Sequence, residues 1–354
     1  MEYCIIIYIL YFGKSPFKGE ENINKYGNKI LLKSKNKNLD NLIQNLLEKD
    51  SLKRLDWEKY FNHPFFKIQN NNNINVIYEI EEDDETISIF GEEFIEINKN
   101  NIELLINGSK IQLVEKYKLK KGNNNIKIKI KNKLTNLKSM FYKCKYLKNI
   151  EGLQNLDVNE IEDFSYMFYD CSSLSDIKPL ENWNVSNGND FSFMFTNCSS
   201  LSDIKPLENW DVSNGNDFSY MFYNCSSLSD IKPLENWNVS NGNNFSHMFY
   251  NCSSLSDIKS LENWNVSNGN NLSFMFYNCS SLSDIKPLEN WNVLNGNDFS
   301  CMFYNCSSLS DIKPLKNWNV SNGKNFSNMF SKCSALSGIK PLEKWYISIK
   351  ILIT

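Results

Sequence analysis

A 27-residue unit repeats without insertion through the second half of the chain. Its consensus reads DFSYMFYNCSSLSDIKPLENWNVSNGN, and cysteine returns once per copy, at Cys144, Cys171, Cys198, Cys225, Cys252, Cys279, Cys306 and Cys333. A fixed period of this length predicts an array in which each copy forms one coil. A single copy buries too little apolar area to offset the entropy lost on ordering it, so the coils must stack.

Within one copy, the segment CSSLSDIKPL predicts a short strand with Leu174 and Ile177 directed inward. Pro179 lacks the backbone donor that a long strand needs, so we expect roughly three to five strand residues per coil. The segment Phe-Ser-x-Met-Phe predicts a helical or 3₁₀ turn on the opposite side, and Asn-Gly closes the coil.

The combination of MFxxCSSL with a following WxVSN segment is similar to the BspA-type leucine-rich-repeat family, including its mycoplasma-lipoprotein-like variety. This resemblance covers residues 136–345 and implies a curved solenoid of about eight coils that is used for binding. The apolar residues 346–354 predict a final strand or cap. Relatives in that family are often surface proteins, but no export signal is evident here, so we expect a cytoplasmic protein.

A small antiparallel β module is predicted over residues 76–135, after a polar linker at 69–75. Six short runs rich in β-branched residues have strand length: VIYEI, TISIF, EFIEI, IELLI, KIQLVEK and IKIKIK. Asn107-Gly108 between two of them is a strong hairpin signal. The acidic residues 81–85 lack the spacing of a calcium loop and predict a solvated turn. We expect this module to cap the first coil.

Residues 1–68 predict a small helical segment. Leu39, Leu42, Ile43, Leu46 and Leu47 follow the spacing of one helical face. The opening apolar run CIIIYILYF is too short to span a membrane, and Glu2 precedes it where a signal peptide has basic residues.

This segment resembles the end of the C-terminal lobe of a eukaryotic Ser/Thr protein kinase. The matching residues are those of a G-x-x-PF turn, an LL-x-x-D-x-x-x-R motif and an HPFF motif: Gly13, Pro16, Phe17, Asp50, Arg54, His63, Pro64 and Phe65. Ser51 stands where that family usually has proline. The resemblance implies structural roles for these residues and a partial kinase lobe.

Phosphoryl transfer by that fold requires a Gly-rich loop, a strand lysine, a His-Arg-Asp loop and an Asp-Phe-Gly site, none of which occurs in this sequence. We therefore expect no kinase activity from the chain as given. A missing upstream segment, a fusion relic and a pseudogene product are the alternatives, and the first is favoured because the chain starts inside an apolar helix.

Aspartate and lysine recur two residues apart in six copies, with an inward isoleucine between them, so both should share the outward face of the strand. The pairs are Asp176 and Lys178, Asp203 and Lys205, Asp230 and Lys232, Asp257 and Lys259, Asp284 and Lys286, and Asp311 and Lys313. Mutual neutralisation along a solvated strip is one interpretation. The alternative is a periodic docking surface for an extended partner.

The cysteine column predicts an inward ladder of reduced thiols, because stacked rungs separate Cβ atoms by more than a disulfide prefers. Cys301 lies outside that column. Asn-Cys-Ser and Asn-Val-Ser resemble glycosylation sequons, but we expect these asparagines to be turn and ladder residues. His247 is isolated in a variable column, with no nucleophile or ligand set around it, and therefore predicts no catalysis.

The sequence therefore predicts an α+β multidomain protein: a partial helical kinase lobe, a small β module and a leucine-rich-repeat-like solenoid. A formal charge of −3 and a single arginine argue against nucleic-acid binding. We expect a non-catalytic protein-interaction solenoid with no cofactor, no metal, no small-molecule substrate and no membrane span. The alternatives are the C-terminal part of a Ser/Thr kinase whose repeats recruit substrate, and a surface adhesin.

Overall fold

A computed structural model of the chain describes residues 73–83 and 85–347, the side chains of residues 346 and 347 excepted. The chain divides into two units between Asn71 and Asn72, and all described residues belong to the second unit. The predicted kinase-like segment therefore lies outside the described residues.

Seven strands and one helix are described in the first part of this unit and in the first coil. They are β1 (Asn73–Ile80), β2 (Glu85–Ser88), α1 (Glu92–Asn98), β3 (Ile102–Ile106), β4 (Ser109–Ile111), β5 (Lys116–Leu119), β6 (Gly122–Ile130) and β7 (Leu147–Asn149). Five strands form an antiparallel sheet in the order β4-β3-β6-β1-β7, and β2 pairs with β5 in a second, two-stranded sheet.

Alternation of apolar and polar residues explains the larger sheet. Ile74, Val76, Tyr78 and Ile80 of β1 are buried, while the residues between them are more exposed. Because side chains alternate across a strand, one face of the sheet faces the core. The predicted hairpin is confirmed, since Asn107 and Gly108 connect β3 to β4 with φ angles of 48° and 84°. Two positive φ angles are what a two-residue hairpin turn requires.

The strand predicted at EFIEI is wrong, because these residues form helix α1. Phe94 and Asn98, four residues apart, are its buried side chains, and Asn98 Nδ2 donates to the Phe94 carbonyl at 3.1 Å. Glu92 and Glu93 lie in the first turn, where acidic side chains favour a helix. A short apolar run fits both the helical and the strand period, and burial against the rest of the fold selects the helix here. The run KIQLVEK is also not one strand, since β4 ends at Ile111 and β5 begins at Lys116.

The coils stack through backbone hydrogen bonds between equivalent segments, but not through the segment predicted to be the strand. In the coil that begins at Asp163, the N–H groups of Phe164, Tyr166 and Phe168 donate to the carbonyls of Asp190, Ser192 and Met194 in the next coil. Single-residue parallel bridges continue from Asp163 to Asn325. The Phe-Ser-x-Met-Phe segment therefore forms the ladder, and the expected assignment of the two sides is reversed.

A left-handed backbone at every second one of these donors explains this reversal. Tyr166 has φ 58° and Asp170 has φ 59°, and the equivalent residues of later coils repeat these values. This backbone directs the N–H group of every second residue toward the same neighbouring coil. Hydrogen bonds between residues three apart, such as that from Tyr169 N–H to the Tyr166 carbonyl, keep the segment from extending. A non-glycine residue with positive φ is uncommon, so the neighbouring coils must hold these positions in place.

The segment predicted as a strand forms a 3₁₀ turn instead. Ile177 precedes it with φ −111° and ψ 18°, outside the extended region, and Pro179 lies in its first turn. The 3₁₀ helices of the stack are Leu153–Asn155, Lys178–Leu180, Lys205–Leu207, Lys232–Leu234, Lys259–Leu261, Lys286–Leu288, Lys313–Asn317 and Lys340–Ile347. The last of these contains the first two residues of the predicted C-terminal strand, and the rest of that strand lies outside the described residues.

The repeat columns fill one continuous core that joins the β module to the coils. Leu174 and Ile177 are buried as predicted, together with the phenylalanine, methionine, cysteine and tryptophan columns. Trp183 Nε1 donates to the Leu153 carbonyl of the preceding coil at 2.8 Å, and later tryptophans repeat this bond. At the start of the stack, β1 pairs with β7 of the first coil, and the rings of Phe90 and Phe141 lie 6.0 Å apart.

Candidate interaction surface

The aspartates of the candidate face orient the 3₁₀ turns. Asp176 Oδ1 accepts the backbone N–H of Lys178 at 2.8 Å, which fixes the start of the turn. The same bond is made by Asp203, Asp230, Asp257, Asp284 and Asp311 to the lysine two residues on. A side chain that bonds its own backbone two residues later is a known turn device. One carboxylate oxygen of each aspartate is therefore used structurally.

The lysines of this face are exposed, and most of them have no acidic partner in the part of the chain that the structure describes. Among the described residues, Lys178, Lys205, Lys232, Lys259 and Lys286 form no ion pair within 4.0 Å. Lys313 lies 3.9 Å from Asp311, at the limit of an ion pair. Direct pairing of each aspartate with its lysine, the simplest form of the neutralisation hypothesis, is therefore not what the geometry shows. The ammonium groups remain open to solvent.

A shallow groove runs across this face between two successive coils. Asp203, Lys205 and Glu208 line it on one side, and Asp230, Lys232 and Glu235 line it on the other. Both signs of charge occur within the groove, so a partner segment of mixed charge would find complementary groups in each coil. The structure brings the predicted aspartates and lysines together here, although on a turn and not on a strand.

A second groove, which the sequence did not reveal, is lined by asparagine. Its lining comes from two asparagine columns, one with Asn241, Asn268 and Asn295 and the other with Asn216, Asn243 and Asn270. The Nδ2 of Asn241 donates to the Ser213 carbonyl at 2.7 Å, and Asn268 repeats this bond to Ser240. These bonds cross from coil to coil, so the amides hold the stack together. The recurrence of WNVSNGN was the available signal, but it predicted only a turn.

Half-buried aromatic rings form a third repeated surface. Tyr223, Tyr250, Tyr277 and Tyr304 stack with ring centres 4.4 to 4.6 Å apart. Because each ring face is covered by the next ring, this column offers ring edges and hydroxyl groups to a partner. His247 lies in the neighbouring column between Tyr220 and Phe274, at 4.1 and 4.5 Å. Burial lowers the pKa of His247 to about 4, so its ring is neutral near pH 7.

The asparagines of the Asn-Cys-Ser motifs form an internal ladder, as predicted. Asn224 Nδ2 donates to Asn197 Oδ1 at 2.8 Å, and Asn251 and Asn278 continue the series at 2.7 and 2.6 Å. All these asparagines have positive φ. Asparagine tolerates that conformation better than most residues, so the backbone and the ladder select the same side chain.

The inward position of the cysteine column is confirmed. All eight column cysteines are free and buried, and Cys301 is half-buried. Burial raises the pKa of Cys144 to about 12 and that of Cys333 to about 11, so these thiols stay protonated near neutral pH. A thiolate is the nucleophilic form of cysteine, so the column is chemically quiet. Within residues 73–83 and 85–347, no group of three potential ligands is placed to hold a metal ion.

Several predicted features lie outside the described residues. They are the kinase-like residues Gly13, Pro16, Phe17, Asp50, Arg54, His63, Pro64 and Phe65. In the part that is described, no helix has the length and hydrophobicity needed to cross a lipid bilayer.

The fold and the columns define a repeat protein of the leucine-rich class. The family described as "Mycoplasma protein of unknown function, DUF285" matches residues 135–260 and 229–345. These matches together span more than half of the chain, so the chain belongs to this family. The family described as "BspA type Leucine rich repeat region (6 copies)" matches residues 58–192. No curated protein and no solved structure matches the chain significantly.

The second match extends across the β module, where the structure shows no stacked coils. Residues 73–83 and 85–130 contain antiparallel strands and one helix, with β1 paired to β6 over eight residues. The match agrees with the structure for the coils from residue 136 onward. In the β module the hydrogen bonds show an antiparallel sheet and not repeat coils. Neither family description names a kinase.

Proposed function

We propose that the protein is a non-catalytic interaction protein that binds protein partners through the exposed Asp/Lys face of its coils. Six successive coils present the same lysine at the same place, and five of these lysines have no ion-pair partner among the described residues. The match to BspA-type repeats supports a protein-interaction role. The unpaired, regularly spaced ammonium groups are the observation that carries the proposal.

The uniformity of the coils also favours binding over catalysis. An enzyme site brings unlike groups together at one place, with a base or nucleophile whose pKa suits its task. Here equivalent positions carry nearly the same groups in every coil, and the buried thiols have raised pKa values. Repeated surfaces of this kind suit an extended partner that contacts several coils at once, because weak contacts then add.

Charge reversal on the face tests this proposal. The variant Lys205→Glu/Lys232→Glu/Lys259→Glu changes three exposed lysines, none of which is used for packing. The matched control, Lys99→Glu/Lys120→Glu/Lys121→Glu, changes three exposed lysines of the β module. Partners are captured with the full chain, identified, and measured one by one by calorimetry. We expect at least about tenfold weaker binding for the face variant alone. Equal binding by both variants would overturn the assignment of this face.

A role as the C-terminal part of a Ser/Thr kinase is the second candidate function. The motifs in residues 1–66 support it, with the repeats recruiting substrate. Sequencing of full-length transcripts tests it, because an in-frame upstream segment with a Gly-rich loop, a His-Arg-Asp loop and an Asp-Phe-Gly site is required. Without that segment, the residues that bind ATP and catalyse phosphoryl transfer in that family are missing.

A surface adhesin is the third candidate, supported by the BspA-type match. We favour a cytoplasmic location, since a column of free buried cysteines suits a reducing compartment. Protease treatment of intact cells distinguishes the two. Digestion of the protein before lysis would favour the adhesin, and protection would favour the cytoplasmic protein.

A further inference from the structure

The last described coil ends in a row of backbone donors. In the six coils whose donors run from Phe164 to Asn305, the N–H groups at four alternate positions donate to the next coil, as Phe299, Cys301, Phe303 and Asn305 do. The equivalent groups of the final coil belong to Phe326, Asn328, Phe330 and Lys332. Within the described part of the chain, none of these four N–H groups has an acceptor.

The direction of the ladder makes this edge unusual. Along the Phe-Ser-x-Met-Phe segment every bond between coils runs from an N–H group to a carbonyl of the following coil, as in Phe303 to Met329. The two residues before the segment donate the other way, as Lys324 and Asn325 do to the Asn297 carbonyl. An ordinary β edge presents donors and acceptors in alternation. If two molecules of the protein met at this edge, N–H groups would face N–H groups. The edge is therefore unsuited to pairing with the same edge of a second molecule. A partner must supply acceptors.

The side-chain charge becomes more positive toward the end of the stack. Relative to the earlier coils, five positions near the end of the stack gain a positive charge or lose a negative one: Lys316 replaces glutamate, Lys324, Lys332 and Lys344 replace asparagine, and Gly338 replaces aspartate. Lys332 Nζ lies 5.1 Å from the Tyr304 ring centre, beside the row of donors. The copies are otherwise almost identical, so five changes of the same sign mark this end of the stack as distinct.

We propose that this end of the stack binds an acidic, extended segment of a partner protein. The carbonyl groups of that segment accept the N–H groups of Phe326, Asn328, Phe330 and Lys332, which adds one further rung to the ladder. Its carboxylates lie against Lys332, which belongs to the row of donors, and Lys324, which lies two residues before that row. Charge complementarity there sets orientation and association rate. This site goes beyond the proposed function, since it is the end of the stack and not the repeated Asp/Lys face.

Binding of a defined peptide tests the charge requirement. A fluorescent glutamate-rich peptide is titrated with the full chain, and serine-rich and lysine-rich peptides serve as controls. The variant Lys324→Asn/Lys332→Asn restores the asparagine that the same positions carry in inner coils, so the stack should accept it. We expect this variant to bind the acidic peptide about tenfold or more weakly. Unchanged affinity would overturn the proposal.

The Asp/Lys-face variant Lys205→Glu/Lys232→Glu/Lys259→Glu separates this proposal from the proposed function. It should retain the peptide, because the face and the end of the stack are different surfaces. Loss of peptide binding in the face variant, with binding kept in the end variant, would place the acidic ligand on the face and overturn the proposal.

Hydrogen exchange tests the backbone requirement. The amides of Phe326, Asn328, Phe330 and Lys332 should exchange quickly in the free full chain and slowly with the acidic peptide bound, while Phe299 and Phe303 stay protected in both. If the four amides are already protected in the free chain, and removal of residues 348–354 exposes them, the chain itself is the occupant and the proposal is wrong. Binding without new protection of these amides would also contradict it.

Discussion

The thiol of Cys225 donates to the carbonyl oxygen of Phe195 in the preceding coil, with Sγ 3.2 Å from the oxygen. The same bond recurs from Cys171 to Cys333, so the column couples each coil to its neighbour through a weak donor. Desolvation raises the pKa of each of these thiols above its ordinary value. The cysteines are therefore best understood as small core residues that satisfy a carbonyl.

The first prediction concerns the reactivity of these thiols. In a Cys4→Ser background, a thiol reagent at pH 8 should modify Cys301 in the native protein and leave the eight column cysteines untouched, because these are buried and protonated. Mass spectrometry counts the modified sites. In denaturant all nine described cysteines should react. Rapid native labelling of Cys225 or Cys252 would show that the stack opens or that the thiols are accessible.

The second prediction concerns the asparagine ladder. Asn251 donates to Asn224, accepts from Asn278 and has φ 57°. Asn251→Ala removes the ladder bonds and places alanine in a left-handed conformation, so we expect a loss of about 2 to 3 kcal/mol in the free energy of unfolding. Asn251→Gly removes the same bonds without the conformational cost and should lose less. Urea denaturation measures both, and equal losses would show that φ contributes nothing.

Sequence periodicity predicted the core columns but not the path of the backbone. Phe168, Cys171, Leu174 and Trp183 are all buried, because a strict repeat leaves little choice about which side chains face inward. The ladder was assigned to the wrong segment because it depends on positive φ at Tyr166 and its equivalents. Tyrosine is not a residue that sequence rules place in that conformation, and only contacts with adjacent coils maintain it.

The same limit applies to the surfaces. The spacing of Asp176 and Lys178 indicated a shared outward location, and both side chains are exposed. The bond from the Lys178 N–H group to Asp176 at the start of a 3₁₀ turn was not predicted, since it follows from the backbone of Ile177. The N–H groups of the last coil that have no acceptor among the described residues are equally invisible in sequence, because they result from the direction of the ladder.

The third prediction concerns pH. The pKa of His247 in the folded state is lowered to about 4 by desolvation, below its ordinary value of 6.5, while Asp298 exerts a smaller opposing effect. Between pH 6.5 and 4 the unfolded chain therefore binds a proton that the folded chain does not, and stability falls with falling pH. His247→Tyr places there the residue that the column carries at Tyr166 and Tyr220, and should reduce this loss. The difference in Tm between variant and wild type should grow from pH 7 to pH 4, whereas parallel curves would contradict the assignment.

The fourth prediction concerns the coupling of glycine and phenylalanine inside a coil. A Cβ added at Gly242 would overlap Cζ of the Phe245 ring. In the coil of Gly269, Leu272 occupies the position of this phenylalanine. The nearest ring atoms to a Cβ added at Gly269 are those of Phe245, at 3.4 Å. The distance to the valine carbonyl is 3.0 Å at both glycines, so the ring is the difference between the sites. Gly242→Ala should therefore cost about 1 to 3 kcal/mol, and Gly269→Ala should cost less.

A double variant separates ring overlap from any general intolerance of alanine in the turn. Phe245→Leu reproduces at one coil the arrangement that Leu272 already provides at another. If the ring is responsible, Gly242→Ala should cost less in the Phe245→Leu background than in the wild type, and the two substitutions should show a coupling energy in a double-mutant cycle. Additive losses would locate the cost in the backbone of the turn. Urea denaturation of the wild type, Gly242→Ala, Phe245→Leu and the double variant at pH 7 gives the free energies of unfolding for the cycle. The Gly269→Ala variant is a separate control for the turn itself.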